Sequence, residues 1–257
     1  MSDKPMTSVT GPRRRFSVHL ARYLALGATL LAIALPASYS LAQAQPAGSI
    51  RGSGLAVYGP VSLHAGLMVL HARHNGTANF VVTLLQPGPQ TPNPVAADPD
   101  ALSNNAVYTE GMINAIGTYN GASALIVPTD GAYYLQVNAA NGPYELTPEQ
   151  PSPTTANVVS QHSFTGKGQA VSPIFTLSAG SYTLGLTGRG DDCCERVSLY
   201  YIDDLGGGLV TMADSYAGRL IDMSYPGLSS VRVDIAQDGL YMLFMDDVDG
   251  NWTVALQ

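Results

Sequence analysis

The chain repeats itself. Shifted by 114 residues, Gly52-Ser53-Gly54-Leu55-Ala56-Val57 falls on Gly166-Lys167-Gly168-Gln169-Ala170-Val171, and Ser62-Leu63-His64-Ala65-Gly66 falls on Thr176-Leu177-Ser178-Ala179-Gly180. Farther along the shift becomes 108, matching Asp130-Gly131-Ala132-Tyr133 to Asp238-Gly239-Leu240-Tyr241 and Asn141-Gly142 to Asp249-Gly250. Self-similarity at one long period means two copies of one structural unit. The boundaries are 49–146 for domain 1 and 162–257 for domain 2, with a Pro/Thr-rich, semi-stiff linker over 147–161. The residues that copy 2 lacks fall between Pro87 and Asn105, where Pro, Asn and Asp mark a long loop.

Within each copy the pattern is that of short strands. Phe175-Thr176-Leu177, Tyr182 to Leu186, Val197 to Tyr201, Val231 to Ile235 and Tyr241 to Leu243 alternate with period two, which turns one face inward. Asn141-Gly142 and Asp249-Gly250 are hairpin dipeptides, since both central residues of a type I′ turn need positive φ. No amphipathic helix follows residue 44, so crossover α/β folds are excluded. The expected fold is all-β: two tandem antiparallel β-sandwiches of jelly-roll or Greek-key type, each of seven to eight strands.

Residues 1–44 read as a signal peptide. Arg13, Arg14, Arg15 and Arg22 precede an apolar run from Tyr23 to Leu35, Pro36 breaks it, and Ala42-Gln43-Ala44 suits a signal peptidase. The run of 13 residues is short for a membrane span. The leader holds five of the 12 Lys and Arg and one of the 19 Asp and Glu, so the remainder carries seven basic against 18 acidic side chains, net −11. That balance excludes nucleic acid, whose phosphates demand a basic surface, and anionic membranes. The expected location is secreted, periplasmic or on the cell surface, with no membrane insertion after cleavage.

Phe175-Thr176-Leu177-Ser178-Ala179-Gly180-Ser181-Tyr182, Val197-Ser198-Leu199-Tyr200, Asp238-Gly239-Leu240-Tyr241 and the closing Trp252-Thr253-Val254 carry a resemblance. Both copies resemble the bacterial pre-peptidase C-terminal domains. The resemblance implies a jelly roll without catalytic residues, attached to secreted enzymes and serving substrate attachment. Some of these domains are similar to calcium-binding collagen-binding domains.

Candidate sites are few. Consecutive Tyr133-Tyr134 and Tyr200-Tyr201 must each turn one ring away from the core on a regular strand, and with Trp252 they offer rings for stacking on a sugar or a partner. Asp191, Asp192, Asp203, Asp204, Asp246, Asp247 and Asp249 cluster in expected loops of a domain that is net −7, and calcium is the one cofactor they suggest. Solvated turns explain the same residues. Cys193 and Cys194 are the only cysteines, and a vicinal disulfide, an intermolecular bridge or a free pair all stay open. His71 and His74, three apart on a strand, point to opposite faces and do not make a two-histidine metal site. No nucleophile elbow, metalloprotease helix or phosphate loop occurs. The expected function is an exported, non-catalytic binding or adhesion module for an extracellular glycan or protein. A purely structural envelope protein and an accessory subunit of a secreted hydrolase are the alternatives.

Overall fold

The computed structural model describes residues 48–89, 106–138, 141–153, 156–187, 196–202, 208–209, 221–222, 230–246 and 250–257. The segment 1–44 read as a signal peptide, most of the segment 87–105 expected as a long loop, and the cysteine pair lie outside these residues. Regular structure among the described residues is strand only, as the period-two pattern predicts.

The first half contains β1 (Ile50–Ser53), β2 (Ala56–Leu63), β3 (Gly66–His74), β4 (Asn79–Pro87), β5 (Ala106–Ile116), β6 (Tyr119–Val127), β7 (Gly131–Asn138) and β8 (Pro143–Glu149). They form two antiparallel sheets in the orders β1-β8-β3-β6 and β2-β7-β4-β5, the arrangement of a jelly roll. The second half contains β9 (Val158–Val159), β10 (Ser163–Lys167), β11 (Ala170–Val171), β12 (Ile174–Leu177), β13 (Gly180–Thr187), β14 (Arg196–Ile202), β15 (Gly208–Leu209), β16 (Ile221–Asp222), β17 (Ser230–Ile235), β18 (Gly239–Asp246) and β19 (Asn251–Leu256). Its orders β10-β19-β13-β17 and β15-β14-β18-β12-β9 repeat those of the first half, with β9 added in parallel beyond β12. The counterpart of β2 is broken into β11 and β12, both on β18, and β15 and β16 both pair with β14 as β5 pairs with β4.

The repeated motifs are where each sandwich closes. In the first half Asp130 accepts the Ala65 amide at 2.7 Å, and the Tyr133 hydroxyl donates to the Thr129 carbonyl at 2.8 Å. In the second half Asp238 accepts the Ala179 amide at 2.7 Å and Tyr241 donates to the Gln237 carbonyl at 2.7 Å. "Leu-x-Ala-Gly" and "Asp-Gly-x-Tyr" are therefore two sides of one connection, in which a carboxylate caps the turn and a tyrosine ties the next strand to its own loop. Register pairs Leu63 with Gly131 and Leu177 with Gly239. Gly52 faces Tyr144 across β1 and β8, and Gly166 faces Trp252 across β10 and β19. A Cβ on Gly166 would run into the Trp252 ring, and one on Gly52 would meet the Tyr58 and Tyr144 hydroxyls. The hairpin glycines Gly142 and Gly250 have φ of 92° and 98°, as their turns require.

Each pair of sheets encloses its own core. Met68, Leu70, Phe80, Leu84, Tyr133 and Leu146 lead the first, and Phe175, Val197, Leu199, Tyr241, Leu243 and Trp252 the second. A third cluster joins the halves: Leu67, Val69, Ala122 and Ala124, on the outer face of β3 and β6, pack against Tyr200, Ile202, Met242 and Phe244, on the outer face of β14 and β18. β3 and β18 are thus buried on both faces over part of their length. The segment expected as a linker from 147 to 161 begins and ends in strand: β8 continues through Glu149, with Thr147 opposite His71, and Val158 and Val159 run parallel to Ile174 and Phe175.

Candidate binding cleft

The outer face of the β1-β8-β3-β6 sheet is divided. Leu67, Val69, Ala122 and Ala124 lie under the second half, while Arg51, His71, Arg73 and Asn120 stay exposed. Strand periodicity produces this division: residues two apart on β3 share the face, and the sequence changes from apolar to polar between Val69 and His71. Beside the covered area opens a cleft of about 2360 Å³ lined by both halves, with the edge strand β5 along one side. A smaller recess of about 580 Å³ continues it between His71, Arg73, Asn120, Thr147 and β11.

Across the floor runs one row of planar polar side chains. Register puts Arg51 opposite Glu145, Glu145 opposite Arg73, and Arg73 opposite Asn120, so four adjacent strands contribute one group each. With strands about 4.8 Å apart the row spans about 14 Å. Glu145 accepts from the Ser49 hydroxyl and from Arg51, whose Nη2 lies 3.1 Å away, and these contacts, the hydroxyl foremost, hold its carboxyl below the usual range. The next exposed pair is His71 with Glu149, at 3.2 Å. Its hydrogen bond raises the histidine and lowers the carboxylate.

The rear of the cleft is fixed by Gln169, in the turn between β10 and β11. Its carbonyl accepts the Ala122 amide at 3.2 Å, its side-chain oxygen accepts the Tyr119 hydroxyl at 2.7 Å, and its Nε2 donates to Asp246 at 3.0 Å and to the Met112 carbonyl at 3.3 Å. Asp246 also meets Arg196 at 3.1 Å. Burial, seconded by the Asp246 charge, pushes the Tyr119 hydroxyl well above its ordinary range, so it stays a neutral donor. A Cβ on Gly121 would strike the Gln169 carbonyl, which explains the glycine at this contact.

The aromatic candidates are placed differently from the sequence expectation. Tyr133 and Trp252 are core residues, with the indole Nε1 donating to the Gly168 carbonyl at 2.8 Å. Tyr134 does turn away from that core, but it is half-buried beside Val57 and Leu85. In the second pair Tyr201 packs inward, its ring 5.3 Å from that of Tyr241, and the outward ring is Tyr200. Tyr200 is 6% exposed because the first half covers it, and its hydroxyl donates to the Ala124 carbonyl at 3.3 Å. The outward face exists as alternation requires, and a second sandwich occupies it.

Of the seven candidate calcium aspartates only Asp246 is described, and it is engaged by Arg196 and Gln169; Asp191, Asp192, Asp203, Asp204, Asp247 and Asp249 lie outside the described residues, as do Cys193 and Cys194. His71 and His74 face opposite sides of β3 as their spacing predicts. His74 is buried against Phe80, ring centroids 4.5 Å apart, with a carbonyl oxygen 2.7 Å from each ring nitrogen.

The polar row escaped the sequence reading, although a signal was present. Arg51 and Arg73 are the only Lys or Arg residues between 49 and 146, and both fall at outward positions of strands. The sequence matches no protein-family profile and no curated protein.

Proposed function

We propose that the chain is an exported, non-catalytic binding protein whose ligand, a glycan chain, lies along the cleft between the two sandwiches. The observation that carries this reading is the Arg51–Glu145–Arg73–Asn120 row. Guanidinium, carboxylate and carboxamide groups offer donors and acceptors in fixed planes, the complement of a ring bearing several hydroxyls. The four groups stand on paired strands, so their spacing is set by the sheet before any ligand arrives, which lowers the ordering cost of binding. A length of about 14 Å suits a short oligosaccharide rather than a single sugar. The resemblance to pre-peptidase C-terminal domains, with their role in substrate attachment, supports the same class and an accessory place beside a secreted hydrolase.

The test is calorimetric titration of the purified chain with a panel of neutral and acidic polysaccharides. At least one should bind, and replacing Asn120 and Glu145 together by Ala should weaken it at least tenfold with the melting temperature held. A panel without a binder, or a double variant that binds as well as the parent, rejects the reading.

A further inference from the structure

The distribution of charge in the cleft runs against that of the chain. Outside the leader the protein is net −11, yet four of the five Lys and Arg among the described residues, Arg51, Arg73, Lys167 and Arg196, line this one cleft. The fifth, Arg232, is paired with Asp234 at 3.1 Å. Three acids line the cleft as well. Glu145 is held by Arg51 and Ser49, and Asp246 by Arg196 and Gln169, which leaves Glu110 on the β5 side. Arg73 and Lys167 make no ion pair with another described residue; Arg73 has Glu145 as a cross-strand neighbour, which Arg51 already engages.

We infer that the cleft selects an acidic glycan, a chain whose sugars carry carboxylates, with Arg73 and Lys167 meeting the charge and Asn120 the neighbouring hydroxyls. This rests on the glycan reading above and narrows it. An exposed arginine fork matches a carboxylate in two parallel hydrogen bonds, and a lysine adds a charge that adapts in position. The walls of a cleft concentrate such a field, whereas the acidic remainder of the surface repels a polyanion. Among the described residues a carboxylated chain therefore has one place to settle, and binding should saturate at one segment per protein.

The decisive comparison keeps the sugar and removes the charge. Oligomers of polygalacturonate and their fully methyl-esterified form are titrated into the intact chain, with polyglutamate as a third probe. The acid should bind at least tenfold more tightly than the ester at low salt. That advantage should vanish in the Arg73→Gln/Lys167→Gln variant, with the melting temperature unchanged. Should the variant fail to fold, a salt titration of the parent serves instead, because screening must erode the difference. Equal binding of acid and ester, or an advantage indifferent to salt, overturns the acidic selection and leaves the glycan reading standing. Polyglutamate binding as tightly as the acid overturns it in favour of an acidic protein partner. Failure of both galacturonate forms together with every neutral polysaccharide removes the glycan reading as well.

Discussion

The two halves share a strand order and differ at their fourth and fifth strands. Among the described residues, β4 and β5 are nine and eleven residues long and pair along most of their length, whereas β14 has seven and β15 and β16 beside it have two each. The closing contacts are nevertheless the same: Asp130 on Ala65 and Asp238 on Ala179, Tyr133 on Thr129 and Tyr241 on Gln237. The scaffold of this fold is thus fixed at a few turns, and the outer strands are free to vary. The first half uses that freedom to raise β5 along the cleft.

If the halves form one body through their shared apolar face, a charge placed there should separate them. Val69 is fully buried in the cluster that joins the halves, with Tyr200 and Phe244 among its members, and does not belong to the core of its own sandwich. Val69→Asp leaves a carboxylate without a partner and should cost about 3–5 kcal/mol. In scanning calorimetry a single transition should split into two, with the first-half core still melting cooperatively. A single undivided transition would show that the halves do not depend on this contact.

The next comparison is between matched glycines. Gly166 lies against the body of the buried Trp252 ring, whereas Gly52 lies against two tyrosine hydroxyls at the ends of movable side chains. Overpacking of this kind costs about 1–3 kcal/mol, and Gly166→Ala should fall near the top of that range with Gly52→Ala near the bottom. Equal losses in chemical denaturation would mean that the two contacts yield alike.

Matched tyrosines should behave as equals. Tyr133→Phe and Tyr241→Phe each remove one hydroxyl donor to a carbonyl four residues back, and each should cost about 1 kcal/mol. Burial, with lesser help from Tyr201, Asp238 and Tyr182, pushes the Tyr241 hydroxyl up to about 12, so its bond persists throughout the neutral range. Unequal losses would show that one half leans on this tie more than the other.

The smallest effect depends on pH and is confined to the first half, because Gly185 occupies the position that matches His71. His71 is raised above 6.5, so its contribution is complete below pH 6.5 and fades as pH climbs through the raised value. Glu149 is lowered beneath 4.5, so its contribution is complete above pH 4.5 and fades as pH falls through the lowered value. The pair therefore helps fully from pH 4.5 to 6.5. With side chains 46% and 52% exposed it should contribute less than about 0.5 kcal/mol. A His71→Ala profile parallel to that of the parent from pH 4 to 8 would remove the assignment.

The repeat made the strand pattern and the closing motifs readable, because turns impose their residues locally: Asp-Gly-x-Tyr needs a carboxylate, a glycine and a hydroxyl wherever it occurs. Alternation also foretold that one of Tyr200 and Tyr201 faces outward. It did not foretell which, nor that the outward ring is covered, since cover comes from strands about a hundred residues away in the chain. The information was present in another form. Leu67-Met68-Val69-Leu70 and Tyr241-Met242-Leu243-Phe244-Met245 are unbroken apolar runs where a half-exposed strand would alternate, and both strands contribute to the cluster between the halves. The cleft was harder to read, because cross-strand neighbours such as Arg51, Glu145, Arg73 and Asn120 become a row only once register is fixed.

β5 ends its sheet, so a line of backbone donors and acceptors faces outward, flanked by Val107 at 64% and Ile116 at 80% exposure. In the intact chain Gln169 occupies one of those acceptors, the Met112 carbonyl, and the second half stands beside the strand. Glu110 supplies a charge along the same edge, a common guard against unwanted strand pairing. Cutting the chain after β8 would free the Met112 carbonyl of Gln169 and uncover Leu67 and Val69 beside an edge that is already open. The second sandwich thus covers an apolar face of the first and caps one acceptor of its edge, and the isolated first half should self-associate more readily than the intact chain.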